Sequence, residues 1–355
     1  MHRACLRPLA WAVAILAAAA VVALPASAAQ SNVYTVHPLV SDVPGAAPTT
    51  DPHLVNAWGL TASATSPWWV ADNGTDLSTL YTANGAKVPF EVTVDGGPTG
   101  AVFNGTSGFF VSRGGATSKA LFIFASEDGK IRGWDPSVAP TEAVVAVDNS
   151  AAGAIYKGLA IADTASGPRL YAADFHNARV DVFDGSWNPV PGGFVDRRLP
   201  AGYAPFGIQT IGNRIFVSYA KQDADAEDEV AGQGLGFVDA YSTGGVLLAR
   251  VAQHGQLNAP WGLALAPPSF GRFGGDLLVG NFGDGQINAF AELSNGSFQH
   301  RGELRGADGR SLLIDGLWAL QFGHGSRNNG STNTLFFTAG PDDETHGLFG
   351  SITAG

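Results

Sequence analysis

Polar and apolar positions along this chain fall into short runs that recur six times. Each unit opens on a small residue inside an apolar run. A second apolar run follows and ends on a polar tip, and a third run comes after the tip. The openings are "NAWGL" (56–60), "PTGAVF" (98–103), "YKGLAI" (156–161), "APFGIQ" (204–209), "APWGLAL" (259–265) and "DGLWAL" (315–320). The second runs are "WWVADN", "ALFIFASEDG", "RLYAADFHN", "RIFVSYAKQD", "DLLVGNFGDG" and "TLFFTAGPDDETHG". Val, Leu, Ile, Phe and Tyr fill the runs, while Gly, Pro, Asn and Asp punctuate them, which is the pattern of strands joined by tight turns. A period of this size built from short strands predicts the blades of a β-propeller.

Each unit divides into four strands. In the fifth these are 261–266, 276–281, 286–291 and 298–304. Third strands recur as "STLYTA", "KIRGWD", "RVDVFD", "GFVDAY" and "GLFGSI", and fourth strands as "VPFEVTV", "EAVVAV", "GFVDRRL" and "VLLARVA". The sixth unit ends after its third strand, and "NVYTVHPLV" (32–40) is available as its fourth. Such a splice closes the ring and removes the open edges between first and last blades. The expected fold is therefore all-β: a single six-bladed β-propeller of four-stranded blades over residues 30–355, closed by the mature N-terminal strand.

Residues 1–29 stand apart from this pattern. Arg3 and Arg7 make a basic start, "LAWAVAILAAAAVVAL" is apolar, and "ASAAQ" supplies small residues, as in a secretory signal peptide cleaved after Ala28 or Ala29. The expectation is a secreted protein, extracellular or periplasmic, with no membrane anchor in the mature chain. The one cysteine is Cys5 and the one methionine is Met1, so the mature chain would carry no sulfur and no disulfide. The full chain has a net charge of −11; without Arg3 and Arg7, 18 basic residues face 31 acidic ones and the charge is −13. A chain this acidic is not built to bind nucleic acid or an anionic membrane by charge. A monomer is expected.

Two stretches, "APWGLAL" and "APFGIQ", match the Pro-x-Gly-apolar start of NHL-repeat propellers, and "YAADFHNARVDVFD" (171–184) matches their second segment. The whole sequence also resembles a family of uncharacterised exported bacterial proteins, most recognisably in "LLVGNFGDGQINAF", "IDGLWAL" and "LFFTAGPDDETHGLFG". Some of these carry a C-terminal sorting tail, which is not seen here, so the resemblance implies a free protein. It implies a fold and no particular reaction.

In a propeller the loops entering each first strand and the loops between second and third strands share one face. Here that face collects acids, amides and histidines, among them Asp72, Asp174, Asn281 and Asp342, the candidate ligands of a divalent cation such as Ca²⁺. Gluconolactonase-like propellers, similar in fold only, hold such an ion for metal-assisted ring hydrolysis. Short turns equally favour Asp and Asn for bonds to their own backbone. His346, beside three acids in "GPDDETHG", is a weak candidate for a catalytic base or a ligand. Lys157 is a candidate ligand-binding residue at the same face. Trp58, Phe206, Trp261 and Trp318 take one repeat position in four units; they either pack between blades or form an aromatic floor for a ring-bearing ligand. The acidic insertion 221–234 should overhang the face as an irregular cation loop, a lid or a solvated loop. It is not an EF-hand, because Asp228 and Gly234 stand where glycine and glutamate are required.

Two classes of function follow. One is a binding or scaffold module for a small molecule, polysaccharide or protein. The other is a metal-dependent hydrolase, lactonase or lyase with its site at the central funnel.

Overall fold

The computed structural model describes Met1 and residues 31–355. The expected leader, with its cleavage site at Ala28 or Ala29, lies outside the described residues. Ser31–Gly355 form one compact unit.

The unit is a six-bladed β-propeller. Blade 1 comprises Ala57–Thr61, Trp68–Asp72, Leu77–Tyr81 and Lys87–Thr93, from axis to rim. Blade 2 comprises Pro98–Phe103, Phe122–Ser126, Lys130–Trp134 and Val144–Asp148, with a hairpin (Phe110–Arg113, Ala116–Lys119) inserted after its first strand. Blade 3 has Tyr156–Thr164, Gly167–Asp174 and Arg179–Asp184. Blade 4 has Tyr203–Ile211, Arg214–Gln222, Phe237–Ser242 and Leu247–Gln253. Blade 5 has Pro260–Leu265, Leu277–Asn281, Ile287–Glu292 and Phe298–Glu303. Blade 6 has Leu317–Phe322, Leu335–Ala339 and Leu348–Ala354.

Ring closure follows the splice that the sixth unit calls for. Tyr34–Ser41 runs antiparallel to Leu348–Ala354, from Tyr34 opposite Ala354 to Ser41 opposite Leu348, with a bulge between Pro38 and Val40. Proline lacks the N–H of a regular ladder, so a bulge is where a strand tolerates it. Tyr34 anchors the start of this strand under blade 5, its ring centroid 5.0 Å from that of Phe270 and 6.1 Å from that of Phe273. Thr49–Thr50 adds a short parallel fifth strand.

The repeated small residue has a direct cause. A Cβ on Gly59, Gly100, Gly158, Gly207 or Gly262 would lie 2.0–2.7 Å from a backbone atom of the next blade's inner strand. At these five junctions the inner strands are that close, and only the absence of a side chain permits it. Ala319 takes the equivalent place in blade 6. Between successive blades lie six apolar clusters, one per interface; Trp69, Phe122 and Trp134 join blades 1 and 2, for example, and Tyr171, Val217 and Tyr241 join blades 3 and 4. Each large side chain fully buried there contributes about 1.5–3 kcal/mol.

Blade 3 departs from the four-stranded expectation. "GFVDRRL" forms no strand, and only a Phe183–Pro189 bridge and the Val190 N–H to Val182 C=O bond (2.7 Å) mark the fourth position. Pro189 and Pro191 cannot donate to a ladder. Beyond them the segment is drawn toward blade 4. Phe194 is buried against Tyr171 and Tyr241, and Asp196 pairs with Arg250.

Candidate functional site

Inner strands begin at one face of the ring, and the residue just before each close-approach position points its chemistry at the axis. Those six residues are Trp58, Thr99, Lys157, Phe206, Trp261 and Trp318. Four are aromatic and form one cluster with Phe175 and Phe282. Trp58 stacks on Trp318 at 3.6 Å between centroids, and Phe282 stacks on the same ring at 4.1 Å. Trp261 meets Trp58 edge-on at 6.3 Å, and Phe206 meets Trp318 at 5.7 Å. Trp58, Phe206 and Trp318 are buried, so the cluster is a plug across the axis rather than an open stacking floor. Lys157 belongs to this inner-strand ring, not to the loop before it, and its ammonium lies 5.2 Å from the Trp58 ring.

Above the plug a polar chain runs around the funnel. Glu344 accepts from Asn56 Nδ2 (2.5 Å), and Asn56 Nδ2 also reaches Asn73 Oδ1 (3.1 Å). Asn73 Nδ2 donates to Glu127 Oε2 (2.8 Å). Lys157 Nζ donates to Glu127 Oε1 (2.5 Å) and to Asp228 Oδ1 (2.9 Å). Trp318 Nε1 donates to Asn56 Oδ1 (3.0 Å), tying the plug to the rim. Blades 6, 1, 2, 3 and 4 each supply a member.

Local backbone places these groups. A backbone N–H at the end of the second strand donates to the C=O of the residue two before the axial position: Asn73 to Asn56, Glu127 to Gly97, Phe175 to Ile155, Phe282 to Ala259 and Gly340 to Gly316. Asn56 and Ala259 sit there at positive φ, 46° and 43°. The 221–234 insertion folds back on its own blade, with Glu229–Val230 pairing with Lys221 and Gln222, and so carries Asp228 across to Lys157. In the 340–347 loop Asp342, Asp343 and Glu344 have φ of 58°, 51° and 65°. Three successive left-handed residues are costly, about 1–2 kcal/mol each, and this strained turn is what directs Glu344 to Asn56.

Electrostatics in the funnel are strongly perturbed. Burial disfavours the Lys157 ammonium, but Glu127, Asp228 and Glu229 outweigh it and hold the amine well above its ordinary range. Lys157 is therefore a permanent cation. Burial pushes the Glu229 carboxyl up to about 8, with Lys157 opposing and Glu344 and Asp228 adding to the rise. Burial also raises Glu344. The funnel thus sets the Lys157 cation beside two carboxyls, Glu229 and Glu344, that burial raises above their usual range.

The other candidate residues sit elsewhere in the network. Asp72, Asp174 and Asn281 end the second strands of their blades, fully buried. Asp72 accepts from the Thr79 N–H (3.0 Å), Asp174 from Asn177 Nδ2 (2.9 Å), and Asn281 Nδ2 donates to Gln256 C=O (2.8 Å). Burial raises the Asp72 and Asp174 carboxyls above their usual range. Asp342 is exposed. His346 Nδ1 lies 2.7 Å from Asp42 Oδ2, so it joins the closing strand to the last blade, and this bond raises its pKa.

Among the described residues one group of acids and histidines has the spacing for a shared ion, and it is Asp51, His53 and Glu91. None of Asp72, Asp174 and Asp342 belongs to it. The group lies beside the outer strand of blade 1, and Lys87 Nζ already sits 2.8 Å from Asp51 and 2.5 Å from Glu91. Ca²⁺ asks for six to eight oxygens. Two carboxylates and an imidazole bridged by an ammonium do not fit it. Sequence reasoning missed Asn56, Asn73 and Glu344 as a connected set, since amides and acids in turns look alike until the ring closes.

No family model matches the sequence. Uncharacterized protein R648 of Acanthamoeba polyphaga mimivirus is 33% identical over 333 residues, covering 90% of this chain and 80% of the relative. Uncharacterized protein L690 of the same virus is 32% identical over 319 residues, covering 85% and 81%. A streptogramin B lyase structure superposes over 91% of this chain and 98% of its own, with a TM-score of 0.51 at 11% identity, which speaks to the propeller fold alone. These findings correct the expectation of an exported bacterial family with NHL-like repeats: the relatives are viral, and two Pro-x-Gly starts reflect the spatial demand of close inner strands, which any propeller can meet. The chain belongs to the family represented by R648 and L690 of Acanthamoeba polyphaga mimivirus.

Proposed function

We propose that this propeller is a binding module whose site is the central funnel, and that its ligand is a small polyhydroxylated molecule. The observation that carries this is the continuous polar chain from Glu344 through Asn56, Asn73, Glu127 and Lys157 to Asp228, assembled from five blades. Carboxylates and amide oxygens outnumber donors at the rim, and ligand hydroxyls are the complementary groups. The buried plug supplies a rigid base, so recognition runs through the rim rather than through ring stacking. The basic and apolar start of the chain supports export to the cell exterior. Among the described residues no helix is long and apolar enough to cross a membrane.

Saturation-transfer NMR with glucose, galactose, N-acetylglucosamine and short oligosaccharides tests the reading. At least one should bind saturably, and Asp228→Asn with Glu344→Gln should weaken it about tenfold, as expected for losing charge-assisted hydrogen bonds. Absence of binding across the panel, or binding indifferent to both substitutions, would remove the proposal.

A second reading has its own observation. Glu229, whose carboxyl burial raises to about 8 beside the Lys157 cation, has the properties of a general acid. A lyase or lactonase using this carboxyl would show a pH–rate profile with a limb near 8 that Glu229→Gln abolishes. A resident Ca²⁺ is not part of either reading, because the acid–histidine group at blade 1 is occupied by its own lysine.

A further inference from the structure

The plug divides the axis of the ring into two compartments, and the second one has features of its own. Below Trp58, Trp261 and Trp318 the inner strands continue to the opposite face. Their next axial layer is Leu60, Ala101, Leu159, Ile208, Leu263 and Leu320, one from each blade, all buried. This apolar collar opens into a cavity of about 250 Å³ at the far mouth of the ring. The two spaces share Leu60, Ala101, Gln209 and Gln321 as walls, so they adjoin.

The lining is selective in chemistry. No charged side chain contributes to it. Two carboxamides do, Gln209 from blade 4 and Gln321 from blade 6, at equivalent positions immediately after the collar. The Thr210 hydroxyl is buried with no hydrogen-bond partner, and it lines the same cavity. Apolar walls with a few convergent polar groups are the usual composition of a small-molecule site. The size sets an upper limit: a cavity of about 150 Å³ takes one benzene ring, so about 250 Å³ takes one ring bearing a small polar head.

We propose that the far mouth of the axial tunnel is a second binding site, for an uncharged molecule with a single apolar ring and an amide or hydroxyl head. The ring packs against the cavity wall of Leu60, Ala101, Val102 and Ile161. The head meets the Gln209 and Gln321 carboxamides. A charged head is disfavoured, because its desolvation has no counter-ion to offset it. The site is independent of the funnel, since the buried Trp58, Phe206 and Trp318 rings and the half-buried Trp261 stand between them.

Benzamide is a suitable probe, with benzoate as the charged control of the same shape. Titration into the intact protein, followed by the side-chain amide NMR signals of Gln209 and Gln321, should show saturable shifts. Benzoate should bind at least tenfold more weakly. Gln209→Leu together with Gln321→Leu, followed by saturation transfer to benzamide because the two amide signals are lost, should weaken binding about tenfold, and Ala101→Phe, which fills the cavity, should abolish it. Should Ala101→Phe fail to fold, Ala160→Leu narrows the same cavity from its neighbouring wall. Glu229→Gln, in the other compartment, should leave the benzamide titration unchanged. Absence of saturable shifts would show the tunnel to be a water channel, and shifts that persist in the filled variant would place benzamide elsewhere; either result overturns the proposal. Neither bears on sugar binding at the funnel.

Discussion

Lys157 shows how one side chain can decide the character of a site. Five of the six axial positions hold Trp, Phe or Thr, and the sixth holds a lysine that its neighbours keep charged. Beside that cation burial raises the Glu229 carboxyl, against the pull of Lys157. The folded Glu229 pKa of about 8 exceeds the model-compound value of 4.5. Between those two values the unfolded chain has released the proton and the folded chain has not, so folding stability falls as pH rises through that window and is flat above it. Glu229→Gln should remove this contribution: between pH 5 and 8 the melting temperature of the variant should decline less than that of the parent. Parallel declines across a pH series of thermal melts would show that Glu229 does not hold its proton. The acids of the 221–234 insertion were visible as a cluster in the sequence. That Asp228 pairs while Glu229 is buried was not, because it depends on which way the returning strand turns each side chain.

The inner strand is the element on which the fold depends, and its glycine is the constraint. A Cβ on Gly207 would stand 2.0 Å from the Trp261 carbonyl oxygen, with no flexible side chain to give way. Gly207→Val should therefore cost about 3 kcal/mol or more, measured by urea denaturation, and a loss under 1 kcal/mol would contradict the close approach. Periodicity exposed this element well: every predicted inner strand is present, as are the second and third strands of each blade. The exception is the outer strand of blade 3. "GFVDRRL" alternates like a strand, yet Phe194 finds a deeper site between Tyr171 and Tyr241, and Asp196 finds Arg250. Alternation reports that one face seeks burial; it does not report which blade provides it.

For the whole molecule, ring closure converts six similar blades into one cooperative unit. Seven residues of Tyr34–Ser41, all but the bulged Leu39, pair with the last strand, and Tyr34 and Asp42 add ring packing and the His346 bond. Removing residues 31–41 exposes a full strand edge and uncovers the interface of blades 6 and 1, so the whole domain should lose its cooperative melt rather than fray at one end. An unchanged melting temperature in the truncated protein would contradict this. The sequence by itself determined the number of blades, the splice that joins the termini and the face that collects polar tips, because hydrophobic period and turn chemistry are local and repeat with the chain. Only the tertiary structure decided that four equivalent aromatics close the axis, that Lys157 stands among them, that Asn56, Asn73, Glu127 and Glu344 form one chain, and that a separate tunnel lies beneath. Those features arise where six distant segments meet at an axis, and no spacing along the chain encodes which side chains will face one another there.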